Sequence, residues 1–307
     1  MLDHYWELTV SASADSVEGL TNCLWELGAL GVVEEETGIA SELRAFFAGT
    51  SDPDQLGARV AAYLEALTAL GFASVGPARI GPITDDDWAE AWKAHFRPLP
   101  VGRRLTIAPP WSVPSANGRL VIVIEPGRAF GTGHHGTTAG CLESIETIVE
   151  RRAPAAAIDL GTGSGILAIA AARLGVARIL AVDDDPDAIA AAVANAARNR
   201  VCDRVRCQLG EASATTLEPA PLVIANLLSA AHRRLASYYA RVVCPGGRLV
   251  LGGILDGETD GVTSTVEPHG FRADGARCLE GWTTLELRRE PRPDADEWRR
   301  APLHDRA

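Results

Sequence analysis

Hydrophobic and polar positions follow one pattern in residues 1–80 and another from residue 129 onward. In the first region "YWELTVSA" predicts a strand, and apolar residues then recur at helical spacing from Val17 to Leu27. "LGVVEEE" and "ELRAFFAG" predict two strands, "DPDQLGARVAAYLEALTALG" predicts a helix, and "FASVGPARI" predicts a last strand. The order β-α-β-β-α-β is typical of a ferredoxin-like fold.

The second region alternates buried strands with helices, which predicts an open, mostly parallel α/β sheet. Its strands are "AAAIDL", "RILAVDD", "VRCQLG", "PLVIANLL" and "GRLVLGGI", and "SAAHRRLASYYARVVCPGG" predicts a helix with a glycine stop. "GFRADGARCLEGWTTLELRR" predicts two final strands joined by a turn. Between the two regions, "PITDDDWAEAWKAHFRP" predicts a short amphipathic helix, and "RRLTIAPPW" with "RLVIVIEPG" predicts a β-hairpin.

The composition indicates the class of protein and the cellular compartment in which we expect it. A chain of 307 residues with 47% hydrophobic and 22% charged content is an ordinary globular chain, long enough for two domains. No apolar run reaches the roughly 18 residues that a membrane span needs, and the start has no signal-peptide pattern. The six cysteines are scattered, which favours reduced thiols over disulfides or a zinc site. We therefore expect a cytoplasmic protein that does not bind a membrane.

Charge is concentrated in the first region. Residues 1–75 hold twelve acids and two bases, so they carry −10 of the total −11. An acidic surface repels nucleic-acid phosphates and attracts basic partners, so we expect a basic partner and no direct binding of nucleic acid. Solubility alone is an equally good explanation of the same charge.

The strongest local signal for a ligand is "AIDLGTGSGILAIAA", residues 157–171. A buried strand runs into Gly161, Gly163 and Gly165 and then into a helix, and such glycines allow a sharp turn and a close ligand. The spacing G-x-G-x-G differs from the G-x-G-x-x-G of the dinucleotide fingerprint, which disfavours a dehydrogenase. A glycine turn alone is weak support for a ligand, because such turns also simply join strand to helix.

A carboxylate at the end of the next strand strengthens the case. Asp183 directly follows that strand, where a carboxylate can accept hydrogen bonds from ribose hydroxyls. Asp185 precedes Pro186 and suits a helix N-cap, and Asp184 is expected to face water. The glycine turn and Asp183 together predict a nucleoside site. S-adenosylmethionine fits it, because this molecule has adenosine but a sulfonium and an amino-acid tail in place of phosphates.

Two further segments reach the same region. The strand in "VIANLL" delivers Asn226, whose amide offers both an acceptor and donors, although Asn226 could equally cap the next helix. "AFGTGHHGTT", residues 129–138, could be a metal site, a phosphate cradle or a tight loop. No Lys-Ser/Thr pair follows its glycines, and the adjacent His134 and His135 would point apart on an extended loop. We therefore predict neither a P-loop nor a metal site.

These motifs together resemble the ribosomal protein L11 methyltransferases, the PrmA family. The resemblance rests on "AFGTGHHGTT", "DLGTGSGILAIAA", "VDDDPDAI" with "NAARN", "IANLL" and "GGRLVLGGIL", and it covers roughly residues 82–288. It implies a class I, Rossmann-like methyltransferase fold whose last strand is antiparallel. The implied domains are a ferredoxin-like substrate-recognition domain at 1–80, a helical linker at 81–100, a methyltransferase domain at 101–290 and a disordered tail at 291–307.

The resemblance also implies an activity and a set of site residues. The activity is methyl transfer from S-adenosylmethionine to the N-terminal α-amine and lysine ε-amines of ribosomal protein L11, a basic protein. The implied cofactor-binding residues are Phe130, Thr138, Gly161, Gly163, Asp183 and Asn226. Apart from the resemblance, the Asn226 carbonyl could hold the acceptor amine. No general base is assigned: His134, His135 or water could take the proton, although histidines in a loop are more often structural or exposed to solvent. Two alternatives stay open: methylation of another protein or a small amine, and binding of S-adenosylmethionine without turnover.

Overall fold

The computed structural model describes residues 5–13, 16–29, 31–36, 41–69, 76–83, 97–126, 136–213 and 217–291. The chain forms two compact units: Met1–Pro98 with two short segments (Pro109–Ser112 and Pro126–Ala129), and the rest of the chain up to Ala307. Most of the expected linker helix, the loop that contains Phe130, His134 and His135, and nearly all of the expected tail lie outside the described residues.

The first unit has the expected order of elements. They are β1 (Tyr5–Ala12), α1 (Val17–Glu26), β2 (Gly31–Glu36), β3 (Ser41–Ala48), α2 (Pro53–Ala69) and β4 (Arg79–Ile83). The strands form an antiparallel sheet in the order β2-β3-β1-β4. Apolar side chains of the sheet and both helices form its core, among them Leu8, Leu20, Leu24, Phe47 and Val60.

The last strand of this unit lies later in the chain than its sequence pattern predicts. We expected it at residues 72–80, of which 72–75 lie outside the described residues and 76–78 are not in a strand. β4 spans Arg79–Ile83 and pairs Tyr5 with Ile83. Because β4 is an edge strand, Pro82 can lie within it without removing a hydrogen bond that a second neighbour would need.

A small sheet in the second unit corrects the expected hairpin. It contains β5 (Leu99–Val101), β6 (Leu105–Ala108) and β7 (Leu120–Val123). β5 and β6 are antiparallel, but β6 and β7 are parallel, so the prediction of a hairpin between the latter two was wrong. The segment 109–119 returns the chain to the start of β6, and Leu120 then donates its N–H to the Arg104 carbonyl at 2.6 Å.

The main sheet of the second unit confirms the predicted fold class. Its strands are β8 (Ala156–Leu160), β9 (Arg178–Asp183), β10 (Val205–Leu209), β11 (Ala220–Asn226), β12 (Val243–Leu255), β13 (Phe271–Leu279) and β14 (Trp282–Arg289). They lie in the order β10-β9-β8-β11-β12-β14-β13. The first five are parallel and β14 is antiparallel to β12. The carboxyl ends of β8 to β11 therefore meet at one edge of the sheet.

Helices cover both faces of this sheet. They are α3 (Gly136–Arg151), α4 (Ile166–Leu174), α5 (Pro186–Arg198), α6 (Ser229–Val242) and α7 (Thr259–Val266). The side chains of α3 and α4 pack in one core cluster, and those of α6 and α7 in the other. α6 ends at Val242 instead of at the glycines that follow, because the chain joins the sheet at Val243, which pairs with Ala220. No helix in the described part of the chain is long and apolar enough to span a membrane.

Candidate functional site

The turn after β8 has the backbone that its glycines allow. Gly161, Gly163 and Gly165 have φ angles of +71°, +54° and +82°, a region that other residues seldom adopt. The N–H groups of Gly161 and Thr162 both donate to the Val182 carbonyl of β9, at 2.9 and 3.1 Å. The turn is thus fixed to the neighbouring strand at the edge where parallel strands end.

The glycine turn also packs directly against α5. A β-carbon on Gly165 would lie 3.1 Å from the α-carbon of Ala192, so a larger residue would force the helix to move by a few tenths of an ångström. On the same helix, the Asn195 amide donates to the Ser164 carbonyl at 2.9 Å and accepts from the Glu125 N–H at 3.1 Å. One buried side chain thus joins the glycine turn to the segment that follows β7.

The three consecutive carboxylates at the end of β9 have different surroundings. The Asp183 carboxylate is half-buried and accepts hydrogen bonds from the Gly163 N–H at 2.8 Å and the Asp185 N–H at 3.1 Å. Asp185 caps α5 by accepting from the Asp187 N–H at 2.8 Å, as expected. Asp184 is exposed, also as expected. Asp183 is therefore the carboxylate that faces the glycine turn.

A pocket of about 310 Å³ opens beside Asp183. Gly161, Asp183 and Leu227 line it, together with several residues that sequence patterns did not single out: Gly210, Glu211, Ala212, Ser213, Ala231, Arg234 and Leu235. The first four of these follow β10, whose carboxyl end lies at the same sheet edge. Their position directly after a predicted strand was the signal that could have identified them.

Asn226, the last residue of β11, faces α3 and does not cap α6. Its amide nitrogen lies 3.3 Å from the Thr137 hydroxyl and 3.5 Å from the Thr138 hydroxyl, which accept from it. Its carbonyl oxygen is buried and has no hydrogen-bond partner among the described residues. Because buried polar atoms are normally paired, this oxygen is a free acceptor for a ligand N–H.

Leu227 connects the two groups of predicted site residues. A β-carbon on Gly161 would lie 2.5 Å from the Leu227 side chain, so the glycine turn touches the residue directly after Asn226. Gly161 and Asp183 line one pocket, and Gly163 donates its N–H to Asp183. Asn226 precedes the pocket residue Leu227, and its amide reaches Thr138. Phe130 lies outside the described residues.

Asp159 is a buried carboxylate to which sequence patterns assigned no role. One oxygen accepts from the Thr162 hydroxyl at 2.7 Å and the Ala168 N–H at 3.2 Å. The other has no partner within the part of the chain that the structure describes. Burial raises the pKa of this carboxyl to about 6, so it is mostly ionised at neutral pH. Its two hydrogen bonds join the glycine turn to the start of α4.

These features fit S-adenosylmethionine better than a dinucleotide. Asp183 and the pocket beside it suit a nucleoside, and the partnerless Asn226 oxygen suits an amine. The G-x-G-x-G spacing of the turn also differs from the dinucleotide fingerprint. Among the described residues, no group of three or more His, Cys, Asp or Glu side chains is arranged to hold a metal ion.

Comparisons with known proteins identify the family. A sequence profile of the PrmA family, described as ribosomal protein L11 methyltransferase, matches residues 4–290. The ribosomal protein L11 methyltransferase of Trichlorobacter lovleyi is 35% identical over 308 residues, covering 94% of this chain and 99% of that protein. That of Geotalea daltonii is 41% identical over 236 residues, covering 72% and 73%. The crystal structure of a ribosomal protein L11 methylase from Lactobacillus delbrueckii subsp. bulgaricus superposes with a TM-score of 0.59 and 27% identity, covering 64% of this chain and 100% of that one.

Proposed function

Because the chain belongs to the ribosomal protein L11 methyltransferase (PrmA) family, we propose that it methylates the N-terminal α-amine and lysine ε-amines of that ribosomal protein. The reaction is a methyl transfer from S-adenosylmethionine. The observation that carries the proposal at the level of residues is the buried, partnerless carbonyl oxygen of Asn226 at the carboxyl edge of the sheet.

The cofactor-binding roles follow from the position of each residue. Asp183 would accept hydrogen bonds from the ribose hydroxyls, because its carboxylate lines the pocket. Gly161 and Gly163 would allow the cofactor to approach the backbone of the turn closely. Thr138 and Asn226 would hold the methionine end, on the side of the site away from Asp183. The role of Phe130 in covering that end stays a prediction.

Bound S-adenosylmethionine supplies a methyl group on a sulfonium, which departs as a neutral thioether and needs no acid. The protein must present an uncharged amine in line with it. A free lysine has a pKa of about 10.4 and an α-amine about 7.7–8.0, so the site has to favour loss of the ammonium proton. The Asn226 carbonyl would accept one N–H of the amine and orient its lone pair, and alignment of this kind can supply much of the rate.

The charge of the first unit supports a basic protein as acceptor. Four of its acids, Glu34, Asp52, Asp54 and Glu65, are exposed in the described structure. A surface of this charge attracts a lysine-rich protein and repels RNA. The role of this unit in substrate recognition, the absence of direct nucleic-acid binding and the cytoplasmic location stay predictions.

Mass spectrometry of purified ribosomal protein L11 tests the proposal. Incubation with the enzyme and S-adenosylmethionine should increase the mass of ribosomal protein L11 in steps of one methyl group, at its N-terminus and its lysines. In Asn226→Ala this methylation should be at least about tenfold slower. Binding of S-adenosylmethionine is measured in parallel by calorimetry. Binding without any methylation of ribosomal protein L11 would contradict the proposed acceptor. Methylation of other proteins in a ribosomal extract would then indicate a different one.

A further inference from the structure

A hydrogen-bonded pair of buried side chains lies behind Asn226. His232 of α6 is fully buried, with Nδ1 2.8 Å from the Tyr239 hydroxyl and Nε2 2.8 Å from the Gly252 carbonyl. A carbonyl only accepts, so Nε2 must carry the imidazole proton and Nδ1 must accept from the tyrosine O–H. Burial lowers the pKa of His232 to about 4, which keeps the ring in this neutral form.

The carbonyl that His232 binds belongs to the residue paired with Asn226. Asn226 and Gly252 are register partners of β11 and β12, and the Gly252 carbonyl also accepts from the Leu227 N–H at 3.1 Å. Beyond this point the register of β12 with β14 shifts, between Leu251 and Ile254. Gly252 is therefore the last regular partner of β11, at the start of an irregular stretch.

Gly252 and Gly253 allow this stretch of β12 to lie close to the site. Because they are glycines, they have no side chains that could hold the stretch in place. A β-carbon on Gly252 would lie 2.7 Å from the Asn226 carbonyl oxygen, and one on Gly253 would lie 2.4 Å from the Leu227 carbonyl oxygen. The β12 backbone thus forms the surface against which the Asn226 amide rests. The hydrogen bond from His232 holds that surface from the opposite side.

We infer that His232, oriented by Tyr239, is a positioning residue that sets the Gly252 carbonyl and through it the orientation of Asn226 and Leu227. The surrounding core is otherwise apolar, containing residues such as Leu251, Ile254 and Val262. A buried polar pair costs more desolvation than an apolar side chain of similar size, so packing alone does not explain its presence here. The inference rests on the proposed role of Asn226.

Two pairs of variants separate positioning from packing. His232→Gln keeps an N–H donor, whereas His232→Leu fills a similar volume without one. We expect His232→Leu to lower kcat at least about tenfold and to weaken binding of S-adenosylmethionine by a smaller factor, because Asn226 and Leu227 shift while the ribose contact at Asp183 is kept. His232→Gln should recover most of the kcat. If both variants keep the wild-type kcat below their unfolding temperatures, the inference is wrong.

The second pair removes one hydroxyl from either of two neighbouring residues. Tyr239→Phe deletes the donor to His232, whereas Tyr238→Phe deletes the hydroxyl of a ring that lies against the Arg241 guanidinium, 5.5 Å from its centroid. Only Tyr239→Phe should lower kcat, by about threefold to tenfold, because Nδ1 loses the donor that orients the imidazole ring. Equal effects of the two variants would indicate loss of packing and would overturn the inference.

Amide hydrogen exchange provides a readout that does not depend on the acceptor. In His232→Leu the Leu227 amide should exchange at least about tenfold faster than in the wild type, while amides of β8 keep their protection. Unchanged protection of Leu227 would contradict the inference even if catalysis fails for another reason. An inactive wild type with the expected exchange pattern would contradict the proposed function alone, so the two failures are distinguishable.

Discussion

The Asp183 carboxylate accepts a hydrogen bond from the backbone N–H of Gly163 at 2.8 Å, which joins the end of β9 to the glycine turn after β8. The second oxygen accepts from the Asp185 N–H at 3.1 Å. Each carboxylate oxygen can accept two hydrogen bonds, so both keep capacity for ribose hydroxyls. Asp183 therefore shapes the turn and faces the pocket at the same time.

Substitution of Asp183 should weaken cofactor binding more than it weakens the fold. Hydrogen bonds to a charged group contribute roughly 1.5–3 kcal/mol, so we expect Asp183→Ala to raise the Kd for S-adenosylmethionine about tenfold to a hundredfold. Calorimetric titration measures this change. The control is Asp184→Asn, since Asp184 is exposed and adjacent in sequence. Unchanged affinity in Asp183→Ala would remove the ribose role.

Gly161 should be required for binding and not only for folding. In Gly161→Ala the new methyl group meets the Leu227 side chain at 2.5 Å, and φ is +71°. Gly175→Ala is the matched control, because its φ is also positive, at +126°, but the space around it is open. Each substitution should lower the free energy of unfolding by about 1–2 kcal/mol. Only Gly161→Ala should also weaken binding of S-adenosylmethionine, and a similar loss in both variants would argue against a specific role.

Local patterns predicted the order of elements well, because periodicity and glycine spacing report on short segments. The turn at Gly161 to Gly165 was recognisable because its backbone needs glycine. The direction of β7 relative to β6 could not be recognised in the same way. β-propensity does not show whether two neighbouring strands pair parallel or antiparallel. The end of α6 at Val242 was missed for a similar reason, because pairing of Val243 with Ala220 is a long-range contact.

The surroundings of the site were even harder to predict from the sequence, because tertiary contacts determine them. Asn226 was recognisable at a strand end, but whether its amide caps α6 or reaches Thr137 and Thr138 is decided by the packing of α3. His232 looks in sequence like any polar residue of an amphipathic helix. No local sequence pattern shows that Tyr239 and Gly252 form hydrogen bonds with its two ring nitrogens.

The "NAARN" motif supplies a test of coupling between α5 and the glycine turn. Asn195 bonds to the Ser164 carbonyl, whereas Asn199 bonds to both the N–H and the carbonyl of Val123, at 2.8 and 2.7 Å. Loss of a buried partner costs about 1–3 kcal/mol, so both Asn195→Ala and Asn199→Ala should reduce stability in urea unfolding. Only Asn195→Ala should also raise the Kd for S-adenosylmethionine, by about threefold or more. Equal affinities in the two variants would show that the contact with the turn is structural only.

Two buried groups should make stability respond to pH in opposite directions. The pKa of His232 falls from 6.5 to about 4 on folding, so the unfolded chain binds more protons between these values and stability is lost as pH falls. The pKa of Asp159 rises from 3.8 to about 6, so stability is lost as pH rises through that interval. Each effect amounts to at most about 3 kcal/mol, and the two nearly cancel between pH 4 and 6.

Single substitutions separate the two effects. Relative to the wild type, Asp159→Asn should gain stability as pH rises from 4.5 to 7, because the cost of ionising the buried carboxyl is removed. His232→Gln should instead lose relative stability over the same range, because it lacks the gain that deprotonation of the histidine gives the wild type. Urea unfolding at the two pH values measures both differences. The same sign of change in the two variants would rule out these pKa assignments.

The acidity of the first unit should determine how the acceptor is recruited. Neutralising Glu34, Asp54 and Glu65 to their amides should raise the KM for ribosomal protein L11 by about threefold to tenfold at low salt, with kcat unchanged, since a charged surface raises the rate of encounter. Salt should remove the difference, because charges are screened beyond about 10 Å at 0.1 M. The control neutralises three exposed acids of the second unit, Asp203, Glu218 and Asp260, for the same change in net charge. If the control raises KM as much as the first-unit variant does, the net charge of the whole protein attracts the acceptor, and not the first unit specifically. If neither variant changes KM, the acidity of the first unit serves solubility alone.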